Sequence, residues 1–353
     1  MTKQSLTHSR MQSFKACRKR HWWEYEIGMR RVTDAKALRM GTAGHAGLEQ
    51  LKISGDVRQA VNDVRALYSQ CPDEVDSVDW LIEAVTVECL VAGYAWRWKN
   101  QPLETLEVEQ AFDLPVINPE TQSQSTCWTM RGKIDGVVRL EDGREAIIEH
   151  KIISQDIAPE SDFWRRLQLD SQISLYVWAA RHRFPEISTV LYDVVRKPTI
   201  RPATVPLMDN DGLKVVLDSS GERVYGKTGK PRQTGSTADG YVLQSRQQTP
   251  DEWAEKLMDD IARRPEFYFQ RHEIARLDSD LQEMQEEVWD IQKTMRDAQN
   301  RDRWYKTVAM DSCTWCAFFG LCSSRYEPVE GEAPDGFQFV TTLHPELEEI
   351  ARE

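Results

Sequence analysis

The sequence predicts a mixed α/β fold, and three features carry that reading. Residues 42–69 and 76–100 repeat apolar positions at helical spacing, with Leu48, Leu51, Val61, Val64 and Leu67 along the first stretch. Two apolar runs, 128–140 and 145–153, flank Glu141-Asp-Gly-Arg144, which is hairpin turn chemistry. The run at 145–153 is followed by a helical stretch from Asp162 to Arg183 and a strand from Thr189 to Val195. A strand–helix–strand passage of this kind implies a parallel pair joined by a right-handed crossover.

The remaining elements follow in order. Residues 105–115 read as a strand closed by Pro115, and Pro198 closes the strand at 189–195. Residues 207–249 are punctuated by Asp-Asn-Asp-Gly, Ser-Ser-Gly and Gly-Lys-Thr-Gly-Lys-Pro, and read as an inserted, mobile hairpin or loop. Gly226-Lys-Thr-Gly-Lys230 lacks the G-x4-G-K-[ST] spacing of a phosphate-binding loop. Residues 250–300 read as helical with a long charged face. Residues 327–353 hold eight acidic groups and one arginine, and read as a solvated acidic tail. The expected organisation is one domain over 1–326. It comprises a helical region at about 42–100, a core at about 105–200, the insertion, and a helical, cysteine-bearing region at about 250–326.

Composition excludes several classes. The 353 residues carry 45 Lys+Arg against 57 Asp+Glu, a net charge of −12, with 40% hydrophobic residues. This suits a large core and argues against a non-specific coat for nucleic acid. No run approaches the ~18 consecutive apolar residues of a membrane span. The first 20 residues are polar and basic without an apolar signal core, so the expectation is a cytoplasmic protein with no membrane partner. Residues 10–40 reverse the overall sign, with nine Lys/Arg against three Asp/Glu.

Seven cysteines without a signal core do not form a disulfide framework. Cys313, Cys316 and Cys322 crowd into ten residues and offer three thiolates to one centre, whereas zinc and cubane iron–sulfur clusters both take four. Cys71, Cys89 and Cys127 lie in helical or apolar surroundings. Cys17, in the basic segment Phe14-Lys-Ala-Cys-Arg-Lys-Arg-His-Trp-Trp, is the expected fourth ligand. A shared centre would bring the two ends of the chain together.

The hairpin carries the chemistry. Asp135 on its first strand and Glu149 and Lys151 on its second place two acids and a lysine on neighbouring strands. A buried Glu-x-Lys is costly unless paired or metal-bound. Paired carboxylates offer a hard-oxygen site for Mg²⁺ or Mn²⁺, which can activate water for attack on a phosphate. Lys151 shares a face with Glu149 by strand alternation and can hold the attacking water or developing negative charge. A two-residue turn would set Asp135 against His150. A three-residue turn with a left-handed Gly143 and a bulge sets it against Glu149, and that bulge is predicted. Arg18, Lys19 and Arg20 beside Trp22, Trp23 and Tyr25 combine charge with stacking faces, as single-strand binders do, although such aromatics are more often core.

Asp135 followed by Glu149-x-Lys151 resembles the signature of the PD-(D/E)XK nuclease superfamily, and the flanking pieces resemble its RecB-like branch. Ser9-Arg-Met-Gln-Ser13-Phe-Lys-Ala-Cys17 is similar to the branch's opening S-x3-S-x3-C segment. Gly41-Thr-Ala-Gly-His45-Ala-Gly-Leu-Glu49 is similar to its histidine motif, and Gln172-x3-Tyr176 to its Q-x3-Y helix. Cys17 with Cys313-x2-Cys316-x5-Cys322 resembles the four-cysteine iron–sulfur staple of AddB-type and CRISPR-adaptation nucleases. Lys133-Ile134 stands where a proline often precedes the aspartate.

The resemblance implies a restriction-endonuclease-like core, a central mixed sheet flanked by helices, with the N- and C-terminal segments joined by a metal cluster. It implies a DNA exonuclease acting on single strands or duplex ends in recombination, repair or mobile-element processing, alongside a helicase or recombination protein. Asp135, Glu149, His45 and the main-chain carbonyl of His150 would hold Mg²⁺ or Mn²⁺. Lys151 would position water, and Gln172 and Tyr176, with the three basic residues, would meet DNA. The cluster would be [4Fe–4S], favoured over zinc by the apolar shell of Trp315, Phe318, Phe319 and Leu321. The alternative is a catalytically silent DNA-binding or assembly module of the same fold.

Overall fold

The structure, a computed structural model, describes residues 3–329, 331–344 and 347. Its centre is a six-stranded mixed sheet. Strand β1 (Gln4–Leu6) precedes helices α1 (His8–Ala16) and α2 (Arg18–His21), a π-helical turn at Trp22–Glu26, and strand β2 (Met29–Arg31). Helices α3 (Lys36–Ser54), α4 (Val57–Leu67) and α5 (Ser77–Trp98) follow. The periodicity read as one helix over 42–69 is therefore two. Gly55 ends α3 at φ +68, and the Asp56 carboxylate caps α4 by accepting the Arg58 and Gln59 N–H groups.

Strands β3 (Glu104–Ile117), β4 (Gln124–Arg139), β5 (Glu145–Ile153) and β6 (Thr189–Arg196) surround helices α6 (Asp162–Leu167) and α7 (Ser171–Ala180). β3 runs antiparallel along one edge of β4. The other edge of β4 takes β1 in parallel near Trp128–Met130 and β5 antiparallel near Val137–Arg139. β5 and β6 are parallel over seven residue pairs, as the crossover requires. Both are buried along most of their length because helices cover both faces of the sheet.

One core packs α7 and a later helix against Trp128, Ile147, Val190 and Tyr192. A second packs Leu48, Leu90, Trp253, Leu257 and Phe269 on the opposite face.

The insertion is built from β7 (Thr204–Pro206), β8 (Val216–Leu217), β9 (Val242–Leu243) and β10 (Ser245–Gln247), a chain of tight hairpins turning at Gly212, Gly221, Gly229 and Gly240, all at positive φ. Val216 and Val224 are buried, while residues 225–230 are exposed without a break. Limited proteolysis of the native protein is expected to nick 218–239 and leave the body folded. Resistance at low protease would show the arm packed on the body.

Helices α8 (Pro250–Arg263) and α9 (Pro265–Tyr268) lead into β11 (Phe269–Ala275), then α10 (Asp278–Arg301). The continuous helix expected over 250–300 is thus interrupted. Arg264-Pro265 stops α8, and the Phe269–Ala275 run completes the sheet antiparallel to β6.

The short helices α11 (Met310–Thr314) and α12 (Phe319–Ser323) carry Cys313 and Cys322, with Cys316 in the link between them, and β12 (Phe337–Phe339) pairs antiparallel with β2. Part of the stretch read as a solvated tail is therefore packed, because Phe337 stacks on Phe318 and the Val340 N–H donates to the Gly28 carbonyl at 2.7 Å. Trp23, Met29 and Phe318 form a small core between the two ends of the chain. The ends meet through side chains and backbone. Trp23 is fully buried and Tyr25 nearly so, which makes them core rather than an open stacking face.

Candidate active site

The hairpin turn has the predicted form. Gly143 lies at φ +87, its N–H donates to the Leu140 carbonyl, and Val137 sits opposite Ile147. Backbone pairing of β4 with β5 stops at that pair, although β5 stays paired to β6 as far as Ile153. Beyond it the His150 N–H donates to the Asp135 carboxylate at 2.8 Å instead of to a ladder carbonyl. Where the two strands part, Asp135, Glu149 and Lys151 come together.

Glu149 is 3% exposed. Its Oε1 accepts from the Lys151 ammonium at 2.5 Å, and its Oε2 is buried with no hydrogen-bond partner. Burial, the largest influence, pushes the Glu149 carboxyl up to about 7 against the pull of Lys151. Burial, the largest influence, works to lower the Lys151 ammonium, but Glu149, Asp135 and Asp170 together outweigh it and the shift is upward, so the lysine stays charged. From α7, Gln172 accepts from Lys151 at 3.1 Å and donates to the Tyr176 hydroxyl at 2.8 Å. Tyr176, Gln172, Lys151 and Glu149 thus form one chain of hydrogen bonds.

His45 arrives on α3 from the opposite face of the sheet. Gly44 makes this possible: a Cβ there would meet Ile152 Cδ1 at 2.0 Å, and one at Gly47 would meet Val64 and Val91 at 2.8 Å. Gly44 lets α3 settle onto β5, and Gly47 lets α4 and α5 close against α3. His45 Nδ1 then lies 3.7 Å from Asp135 Oδ2, with 41% of its side chain exposed. Burial lowers the imidazole pKa and Asp135 opposes it, while Lys151 and Lys52 add to the shift; the ring is neutral at pH 7.

Three residues of this site were not singled out from sequence. The Lys52 ammonium, lowered by burial, donates to the Asp135 carbonyl at 3.0 Å. It lies seven positions after His45, two helical turns along the same face, and that spacing was the available signal. Glu109 faces the Asp135 position from β3 at φ +49 and pairs with Lys133. Asp170 caps α7 through the Gln172 N–H at 2.9 Å and accepts from the Tyr192 hydroxyl at 3.4 Å.

Asp135, Glu149, Lys151, His45, Gln172 and Tyr176 are brought together. The basic segment belongs elsewhere: Lys19 lies 3.3 Å from the Trp22 ring centroid, Arg18 stacks on Tyr305, and Arg20 pairs with Glu24. Cys17, Cys313, Cys316 and Cys322 line one cavity of about 360 Å³ with Trp315, Phe318 and Phe319. The Cys17 sulfur accepts the Thr307 N–H at 3.3 Å. Among the described residues, no three His, Cys, Asp or Glu side chains are already gathered tightly enough to form a metal shell.

No curated protein matches the chain. Among solved structures it is similar to a candidate exonuclease from Eubacterium rectale, at 11% identity and a TM-score of 0.43, over 94% of this chain and 91% of that one. It is also similar to SSO0001, at 12% identity and a TM-score of 0.28, over 81% and 85%. A family model describing the PD-(D/E)XK nuclease superfamily matches residues 5–323, and with that match the chain belongs to this superfamily.

Proposed function

We propose that the protein is a metal-dependent deoxyribonuclease, working as an exonuclease on single strands or duplex ends. The observation that carries this reading is the unpartnered Glu149 Oε2, a buried carboxylate oxygen beside Asp135 and Lys151. A buried carboxylate oxygen without a hydrogen bond is open to a cation. The donor set, two carboxylates and a neutral imidazole, suits Mg²⁺ or Mn²⁺. Asp135, Glu149 and His45 would hold the ion. The His150 carbonyl supports the set, because an extended residue points its N–H and C=O to the same side, and this N–H faces Asp135. When bound, such an ion neutralises charge on the attacked phosphate and acidifies water.

The chain's own residues do the rest. An ammonium has three donors, and Lys151 uses two on Glu149 and Gln172, which leaves one for the attacking water. Gln172, fixed by Tyr176, keeps that proton aimed. Lys52 holds the Asp135 backbone where the strands part.

The four thiols around an apolar cavity fit an iron–sulfur cluster, with zinc as the other occupant four thiolates can take. Work in recombination, repair or mobile-element processing, with a helicase or recombination protein, rests on the resemblance alone.

End-labelled single- and double-stranded DNA incubated with Mg²⁺ or Mn²⁺ tests activity, polarity and mode together. Binding without cleavage under either metal would make the chain a silent DNA-binding module.

A pH dependence follows from Glu149. Its carboxyl is raised to about 7, so below that pH a proton competes for the oxygen the ion needs. At limiting metal, cleavage should rise with pH through about 7, and the midpoint should fall as Mn²⁺ is increased. A midpoint unmoved by metal concentration would remove Glu149 from the metal site.

A further inference from the structure

The corner between α6 and α7 presents Leu169 with 88% of its surface exposed. A single exposed leucine on a loose loop is ordinary, but this corner is not loose. Arg276, 4% exposed, donates from Nη2 to the Leu167 carbonyl at 2.9 Å and the Asp170 carbonyl at 3.1 Å, and from Nε to Ser174 Oγ at 3.1 Å. Phe163, Trp164 and Leu167 are buried beneath the corner. The Trp164 indole donates to the Ile157 carbonyl at 3.0 Å. A buried arginine thus clamps both sides of Leu169, and the leucine is held rigidly in water.

Its place along the chain ties it to the catalytic residues. Asp170, the next residue, caps α7, and Gln172 holds Lys151. On the same corner, Arg165 and Arg166 are exposed. Among the described residues Arg165 pairs only with Asp162 of its own helix, both well exposed, a pair worth little. Arg166 has no ion pair among the described residues.

We propose that this corner opens duplex ends: Leu169 is an apolar wedge against the terminal base pair, and Arg165 and Arg166 grip the phosphates of the strand led to Lys151. Apolar side chains inserted at base steps unstack them in this way, and arginine supplies the phosphate contacts. The inference rests on the nuclease reading above and names its substrate as a duplex end.

The test uses the full chain with Mn²⁺, a blunt duplex, the same strand alone, and a duplex with a short unpaired end. Leu169→Ala should slow the blunt duplex about tenfold or more, leave the single strand within about twofold, and regain most of its rate on the frayed duplex. Arg166→Gln should weaken binding to all three and lower the salt slope by about one unit or less. Equal slowing by Leu169→Ala on every substrate, or on none, overturns the wedge. So does a parent protein that cleaves single strands and spares blunt duplexes, an outcome that keeps the nuclease reading. A parent that cleaves nothing overturns both.

Discussion

Lys151→Ala should lower DNA cleavage by a factor on the order of 10² or more while leaving the fold and DNA binding largely intact. Two effects act together. The donor that aims the water is lost, and Glu149 loses the cation that balances its burial. Its carboxyl is then pushed further up, which also weakens the metal site. Asp135→Ala should fall as far, but it also strips the His150 N–H of its acceptor, at about 1–3 kcal/mol for a buried unpaired amide. Asp135→Asn keeps an acceptor and separates the two losses. Purified Lys151→Ala cleaving at the parent's rate would show that the site is wrongly assigned.

Cys17→Ser should abolish metal binding at the cysteine cavity and destabilise the protein. By the iron–sulfur assignment, protein purified without oxygen is brown and carries about four irons and four acid-labile sulfides per chain. Cys17 comes from the N-terminal segment and the other three thiols from the C-terminal one, so on this assignment removing it leaves three ligands and takes away one of the links between the ends. Cys71→Ser, Cys89→Ser and Cys127→Ser should stay brown, because none of these residues lines the cavity. A colourless protein holding one zinc would decide for zinc. A brown one indifferent to Cys17 would reopen the fourth ligand.

The hairpin that carries Asp135 and Glu149 was legible because its turn obeys strong local rules. Glu141-Asp-Gly-Arg144 admits few geometries, and alternation then fixes which side chains share a face. The placing of His45 came from resemblance, yet its physical cause is in the sequence: Gly44 thins the face of α3 where it meets β5. Other features leave no local trace. The run Phe269–Ala275 mixes charge with aromatics and reads as neither period until β6 offers it an edge. Lys52 reaches its carbonyl through a long side chain, and Arg276 clamps a corner more than a hundred residues away in sequence. Phe337–Phe339 is a strand only because β2 waits for it.

The meeting of the two ends also sets an order of events during synthesis. Trp23 and Met29 emerge early, while Phe318 and Phe337, which cover them, follow roughly 300 residues later. At about 5–20 residues per second, that apolar surface waits roughly 15–60 s for its cover. β4, β5 and β6 can assemble in the meantime, since their hairpin and crossover contacts are local. The nascent chain therefore passes through a stage with β4, β5 and β6 paired and its N-terminal aromatics bare. That stage is where a holdase chaperone would bind, and where a ribosome stalled before Phe318 would leave an aggregation-prone product.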